Sequence, residues 1–278
     1  MLTGVAGAIA LGMTMFVSGW VERYFFYPDA LQYTTPAQFG LQAEDVWLQA
    51  TDGSRLHAWF LPAQGRAEGT VLHLHGNAAN VSNHLPLVAW LPPRGYNVLS
   101  LDYRGFGRSQ GTPSLDGVVD DAAVALAYLQ TRPDVDATRL IVVGQSLGGA
   151  TALRLLARDS AGVRLAVIDS AFASYRQIAR EAASTAGILA PLAPLLMRAF
   201  PGPEKDPITA LQKVRVPLIF VHGTRDAVIA HDHSAQLHAA AHAPKDLWTV
   251  EDAEHVAVFG NAGPWREKLL RGMDAAVR

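Results

Sequence analysis

From residue 70 onward the chain alternates between two patterns of apolar residues. In the first, short runs of consecutive apolar residues read as strands buried on both faces, at 70–75, 96–101, 139–143, 165–168, 218–221 and 248–250. In the second, apolar positions recur every three or four residues, as on one face of a helix. Residues 80–91, 115–130 and 149–157 fit that pattern, and Val118, Ala122, Ala125 and Leu129 form the apolar stripe of the second. Ahead of these units, residues 46–50 and 56–61 alternate around Thr51-Asp52-Gly53-Ser54, which predicts a β-hairpin. The order predicts an α/β fold, a mostly parallel central sheet with helices on both faces and an N-terminal hairpin. Ligands in such sheets bind beyond the carboxyl ends of the strands, so the chemistry is expected there.

The first residues follow a different rule. Residues 2–21 contain no charge, and twenty helical residues rise about 30 Å, the hydrocarbon thickness of a bilayer. Trp20, Tyr24, Phe25, Phe26 and Tyr27 come next and would suit the membrane interface as an aromatic belt. Residues 1–27 are therefore expected to be a single-pass membrane anchor that contributes nothing to chemistry. A cleaved signal peptide and a buried core helix are the alternatives. The signal lacks the usual basic start, and Arg23 alone gives no orientation. Residues 28–43 read as a linker over the domain surface, and residues 44–278 as one domain.

Half of the 278 residues are apolar, enough for a sizeable core in a single domain. A net charge of −2 without a Lys/Arg cluster gives no footprint for nucleic acid. The absence of cysteine excludes disulfides, thiolate metal sites and a cysteine nucleophile. His231, His233, His238 and His242 lie close together, but no H-E-x-x-H accompanies them, so they are expected on a solvated helix surface rather than around a metal. Gly105-Phe106-Gly107 lacks the third glycine of a dinucleotide fingerprint. No metal or cofactor is expected, and nothing in the sequence sets the oligomeric state.

Gly144-Gln145-Ser146-Leu147-Gly148 carries the chemistry. A predicted strand runs into it and a predicted helix runs out, the setting in which G-x-S-x-G lifts a serine hydroxyl clear of a sheet. A serine hydroxyl needs a base to take its proton and an acid to orient that base. Asp226 follows the strand at 218–221, and His255 lies in the loop after the last strand, in the order Ser, Asp, His. Asp169, also at a strand end, is the alternative acid; Asp102 precedes the elbow in a glycine-rich turn. The oxyanion of an acyl-transfer intermediate needs two N–H donors. These are expected from Leu147, after the nucleophile, and Asn77, in His75-Gly76-Asn77-Ala78 after the first parallel strand.

Four segments in this order resemble the α/β-hydrolase superfamily: H-G-N-A from His75, D-Y-R-G-F-G-R-S from Asp102, G-Q-S-L-G, and H-G-T-R-D from His222. They look most similar to its serine-aminopeptidase-like branch, which includes single-span membrane hydrolases and acyl-protein thioesterases. The resemblance runs from about Glu44 to the C-terminus. It implies an α/β-hydrolase fold with a lid at about 170–207. The Ala-Glu-His-Val of the histidine loop departs from the small residue that often precedes the family's histidine. Within the lid, Ile188, Leu189, Leu192, Leu195 and Leu196 are candidate acyl-chain contacts, broken by two prolines.

The activity expected is hydrolysis of carboxylic esters or thioesters by the triad. Two alternatives stay open. A peptidase would need an acidic pocket for a substrate amine, for which the lid region offers Glu181, Glu204 and Asp206. A non-catalytic binding protein on this scaffold would be expected to have lost a triad member, and none is missing.

Overall fold

The computed structural model describes residues 23–184 and 200–278. The apolar run at 2–21 and the lid positions Ile188, Leu189, Leu192, Leu195 and Leu196 lie outside the described residues. The main sheet has eight strands: β1 (Glu44–Gln49), β2 (Arg55–Leu61), β3 (Gly69–Leu74), β4 (Tyr96–Leu101), β5 (Leu140–Gln145), β6 (Val163–Asp169), β7 (Leu218–Gly223) and β8 (Lys245–Val250). Their spatial order is β1-β2-β4-β3-β5-β6-β7-β8. Strand β2 runs antiparallel to both its neighbours, and every other pairing is parallel.

The two-residue period of the strands sorts their side chains into two cores. Leu72, Leu74, Leu99, Leu101, Val142, Ile168 and Phe220 pack on one face, under α1 (Gly117–Thr131) and α2 (Leu147–Leu156). Val71, Val98, Ile141, Val143, Val167 and Val221 pack on the other, under a C-terminal helix. Central strands covered on both sides are wholly buried, whereas the edge strands β1 and β8 keep exposed polar positions. Those edge charges discourage pairing with another chain.

Two sequence expectations need correction, and one helix is added to them. The helix expected at 80–91 is a single turn, Val81–His84, followed by a 3₁₀ turn, Leu85–Leu87. Pro86 has no N–H to continue an α-helical ladder, and its ring crowds the preceding turn. The helix that covers the second core, Pro264–Val277, was not read from the sequence. Its buried Leu269, Leu270, Met273 and Val277 carry helical spacing behind an N-terminal proline, a signal that was there to be used. The histidine stretch is not simply solvated: His233 is fully buried in Asp232–Ala240, accepting from the Ala173 amide (3.1 Å) and donating to Glu181 (2.9 Å).

The belt reading of Phe25 and Phe26 also changes. Phe26 is buried in the first core with its ring edge-on to Phe106, and Phe25 meets Tyr175 and Phe200. Only Tyr24 and Tyr27 of the described aromatics in that stretch face outward. Tyr27–Pro28 pairs in parallel with Ala78–Ala79, so the segment expected as a linker over the domain surface is hydrogen-bonded to the domain at its start and runs largely exposed beyond it. Burying two phenylalanines on a core outweighs leaving them in water, and that draws the segment in.

Candidate active site

Ser146 stands between the last residue of β5 and the first of α2 with φ 53° and ψ −118°. A serine held at positive φ is strained, typically by about 1–3 kcal/mol, and needs its surroundings to impose the geometry. Here the Ser146 amide donates to the Asp169 carbonyl (2.8 Å), and the Ser146 carbonyl accepts from Gly149 (3.0 Å). Glycines flank it because the backbone leaves no room. A Cβ on Gly148 would run into the carbonyl of Leu74, and one on Gly149 would lie 2.7 Å from the Cβ of Ala171. Beneath the elbow, buried His73 donates through Nε2 to Gln145 (2.9 Å) and accepts at Nδ1 from Ser100 (2.8 Å). Burial pushes its pKa down to about 4, so it is a neutral structural strut.

Asp226 sits in the turn after β7 with its side chain fully buried. One oxygen, Oδ1, accepts from the amides of Val228 (2.9 Å) and Ile229 (2.8 Å). The other, Oδ2, accepts from His255 Nδ1 at 2.7 Å and lies 3.1 Å from His222 Nε2. Burial alone would raise the carboxyl pKa, but hydrogen bonds from His222, His255 and the Ile229 amide outweigh it. They hold Asp226 well below the usual carboxylate range, and it remains an anion. With Nδ1 committed to Asp226, Nε2 is the basic nitrogen of His255.

Two contacts tie this pair to the serine. Ser170 Oγ accepts from the Val256 amide (3.3 Å), beside His255. The preceding residue, Asp169, holds the Ser146 amide, so one dipeptide at the end of β6 fixes both the nucleophile and the histidine loop. The sequence reading missed Ser170 and His222. His222 was visible at the head of H-G-T-R-D. Ser170 carried no signal, because its role depends on a loop 86 residues away.

The alternative acid takes no part in this pairing. Asp169 accepts through its side chain from Ser170 (3.1 Å), and complete burial lifts its pKa to about 6. Asp169→Asn is expected to keep kcat within about threefold. A folded-state pKa above the unfolded value means that the wild type loses stability as pH rises from about 4 to about 6. The asparagine variant should therefore melt higher, by a margin that grows across that window and levels off above it; thermal melts from pH 4 to 8 check this. Asp102 is bound elsewhere, accepting from the Val81 amide (2.8 Å) and lying 3.3 Å from His57, so the loop it opens is architectural.

The loop after β3 passes over the serine: a Cβ on Gly76 would lie 3.7 Å from the Cβ of Ser146 and 3.3 Å from the ring of His84. Asn77 follows, half-buried, and Leu147 opens α2, where N–H groups have no helical carbonyl to meet. Of the acids considered for binding an amine, Glu181 accepts from His233 and Gln177, and Asp206 accepts from the Tyr175 amide.

The serine aminopeptidase S33 family matches residues 65–207, about half of the chain. The chain belongs to this family, within the α/β-hydrolases. Relatives include the uncharacterized protein YfhR of Escherichia coli K12, 40% identical over 255 residues that cover 89% of this chain and 85% of the relative. The α/β hydrolase domain-containing protein WAV2 of Arabidopsis thaliana is 32% identical over 257 residues, covering 86% and 80%. Among solved structures, an esterase of Pyrococcus furiosus aligns with a TM-score of 0.74 at 22% identity, covering 91% of this chain and 98% of that one. Acetyl xylan esterase 1 of a Thermoanaerobacterium aligns at 0.66 and 18% identity, covering 85% and 84%. At those identities the likeness to the esterases is one of fold.

Proposed function

We propose that this S33-family protein is a serine hydrolase that cleaves carboxylic esters or thioesters through an acyl-enzyme. The observation that carries the reading is the buried Asp226 carboxyl on Nδ1 of His255, tied through Asp169-Ser170 to a serine in strained elbow geometry. His255 Nε2 takes the Ser146 proton as Oγ attacks the acyl carbon, and Asp226 stabilises the imidazolium that forms. The amides of Asn77 and Leu147 receive the oxyanion. The imidazolium then protonates the departing alcohol or thiol, and water repeats the sequence to release the acid and restore Ser146.

The commitment of two of the three candidate carboxylates, Glu181 and Asp206, favours this over cleavage of N-terminal peptides. Taking Glu181 or Asp206 for a substrate ammonium would strip His233 or the Tyr175 amide of its partner, at a cost of about 1–3 kcal/mol. Residues 2–21 are proposed as a membrane anchor. Among the described residues no helix is long and apolar enough to cross a membrane, so that part of the reading rests on the sequence run alone.

A panel of p-nitrophenyl esters, acyl thioesters and aminoacyl anilides, each over a range of chain lengths, tests the function. Turnover of esters and thioesters should rise with short-to-medium acyl length, at about fourfold per methylene if each is buried at about 0.8 kcal/mol. Anilides should be slower throughout. Faster anilide cleavage would instead establish a peptidase, and a flat length profile would remove the lid leucines from acyl recognition.

A further inference from the structure

Five consecutive carbonyls in the loop over Ser146 each accept a hydrogen bond. His75 O takes the Tyr103 hydroxyl (3.1 Å), Gly76 O takes His75 Nδ1 (2.8 Å), and Asn77 O takes the Tyr27 amide (2.7 Å). Ala78 O takes His84 Nε2 (3.1 Å), and Ala79 O takes the Asp29 amide (3.3 Å). In a trans peptide the N–H points opposite to the C=O, so fixing a carbonyl aims the N–H of the next residue. The bond on Gly76 O aims the Asn77 N–H. The bond on Asn77 O fixes the following peptide plane and so closes the range of Asn77 from its other side.

Two of these donors come from the segment before the hairpin, and that segment is itself secured. Phe26 is buried against Phe106. The Asn80 side chain donates to Asp29 Oδ1 (2.9 Å) and to Leu31 O (2.8 Å), and the Gly107 amide donates to Asp29 O (2.9 Å). Tyr27 is 57% exposed, and its backbone amide is the group that reaches the loop.

We propose that Tyr27–Asp29 is a strap that positions the oxyanion loop, with the Tyr27 N–H as its working contact. The stretch that joins the apolar N-terminus to the domain thereby restricts, from the far side, the Asn77 amide that the bond on Gly76 O aims. This rests on the reading of Ser146 as the nucleophile. Oxyanion donors act chiefly on the transition state, and removing one outright costs about 10²–10³ in kcat. Loosening one should cost less, on the order of tenfold, and should fall on kcat rather than KM.

The test is Tyr27→Pro in the full-length protein, which deletes that N–H at an extended position, assayed with a p-nitrophenyl ester beside wild type and Leu31→Ala. The expected result is a fold matching wild type by circular dichroism, kcat lower by about tenfold, KM within twofold, and slower fluorophosphonate labelling of Ser146. Leu31→Ala, an exposed change on the same segment, should match wild type. Should Tyr27→Pro fail to fold, Phe26→Ala loosens the strap from its core anchor and should also lower kcat at constant KM. Undiminished kcat in whichever variant folds overturns the strap while leaving the hydrolase reading intact. A wild-type protein that no ester turns over and no fluorophosphonate labels overturns both.

Discussion

Ser146→Ala should reduce esterase turnover by on the order of 10⁶ and abolish labelling by a fluorophosphonate, with circular dichroism unchanged. The magnitude follows from the triad acting as a unit: without Oγ, the His255–Asp226 pair has no nucleophile to activate, and only the oxyanion donors remain. A companion substitution separates chemistry from strain. Ser146 is held at φ 53°, a conformation that glycine adopts without penalty. Ser146→Gly should be equally inactive yet melt a few degrees above wild type, because relieving about 1–3 kcal/mol of strain stabilises a domain of this size by that much. Alanine keeps its Cβ at the strained φ and should melt near wild type. Labelling that survives in Ser146→Ala would place the nucleophile elsewhere. A melting temperature that drops in Ser146→Gly would show that the hydroxyl, rather than the backbone, is what the elbow stabilises.

The parts of this molecule that were legible in the sequence are those fixed by local pattern. Buried strands announce themselves as unbroken apolar runs, and Tyr96–Leu101 was read to the residue. Ser146, Asp226 and His255 could be named because each terminates such a strand or lies in the loop after it, and the fold brings strand ends together. The pairing of His255 with Asp226 rather than Asp169 could be ranked but not seen. It depends on the turn Asp226–Ile229 presenting one carboxylate oxygen to two amides and the other to the histidines. Phe25 and Phe26 were misplaced for a different reason. Phe25 and Phe26 look the same in sequence whether they meet lipid or core, and the bonds from Tyr27 and Asp29 are between backbones 50 residues apart, with no side-chain signature. His233 was misplaced because its partners, Ala173 and Glu181, come from distant segments.

Asp226→Asn is expected to lower kcat by about 10⁴, and the local geometry says why. The amides of Val228 and Ile229 both point at Oδ1, so the asparagine must place its carbonyl oxygen there and its NH₂ where Oδ2 was. That NH₂ then faces His255 Nδ1, which can only accept from it. The proton moves to Nε2, and the imidazole can no longer take the proton of Ser146. The same NH₂ meets the Nε2–H of His222, which cannot turn away without giving up its bond to the Ile229 carbonyl (2.9 Å). Stability should fall as well. A carboxylate whose folded pKa is depressed contributes stability that is complete above the unfolded value near 4 and is lost as pH falls through the lower folded value. The deficit of Asp226→Asn should accordingly be full at pH 7 and shrink below pH 4. Measured kcat, together with melts at pH 7, 5 and 3.5, tests both halves. Retained kcat in Asp226→Asn alongside a large loss in Asp169→Asn would transfer the acid's role to Asp169. A stability deficit that widens on acidification would mean that Asp226 is not held as an anion.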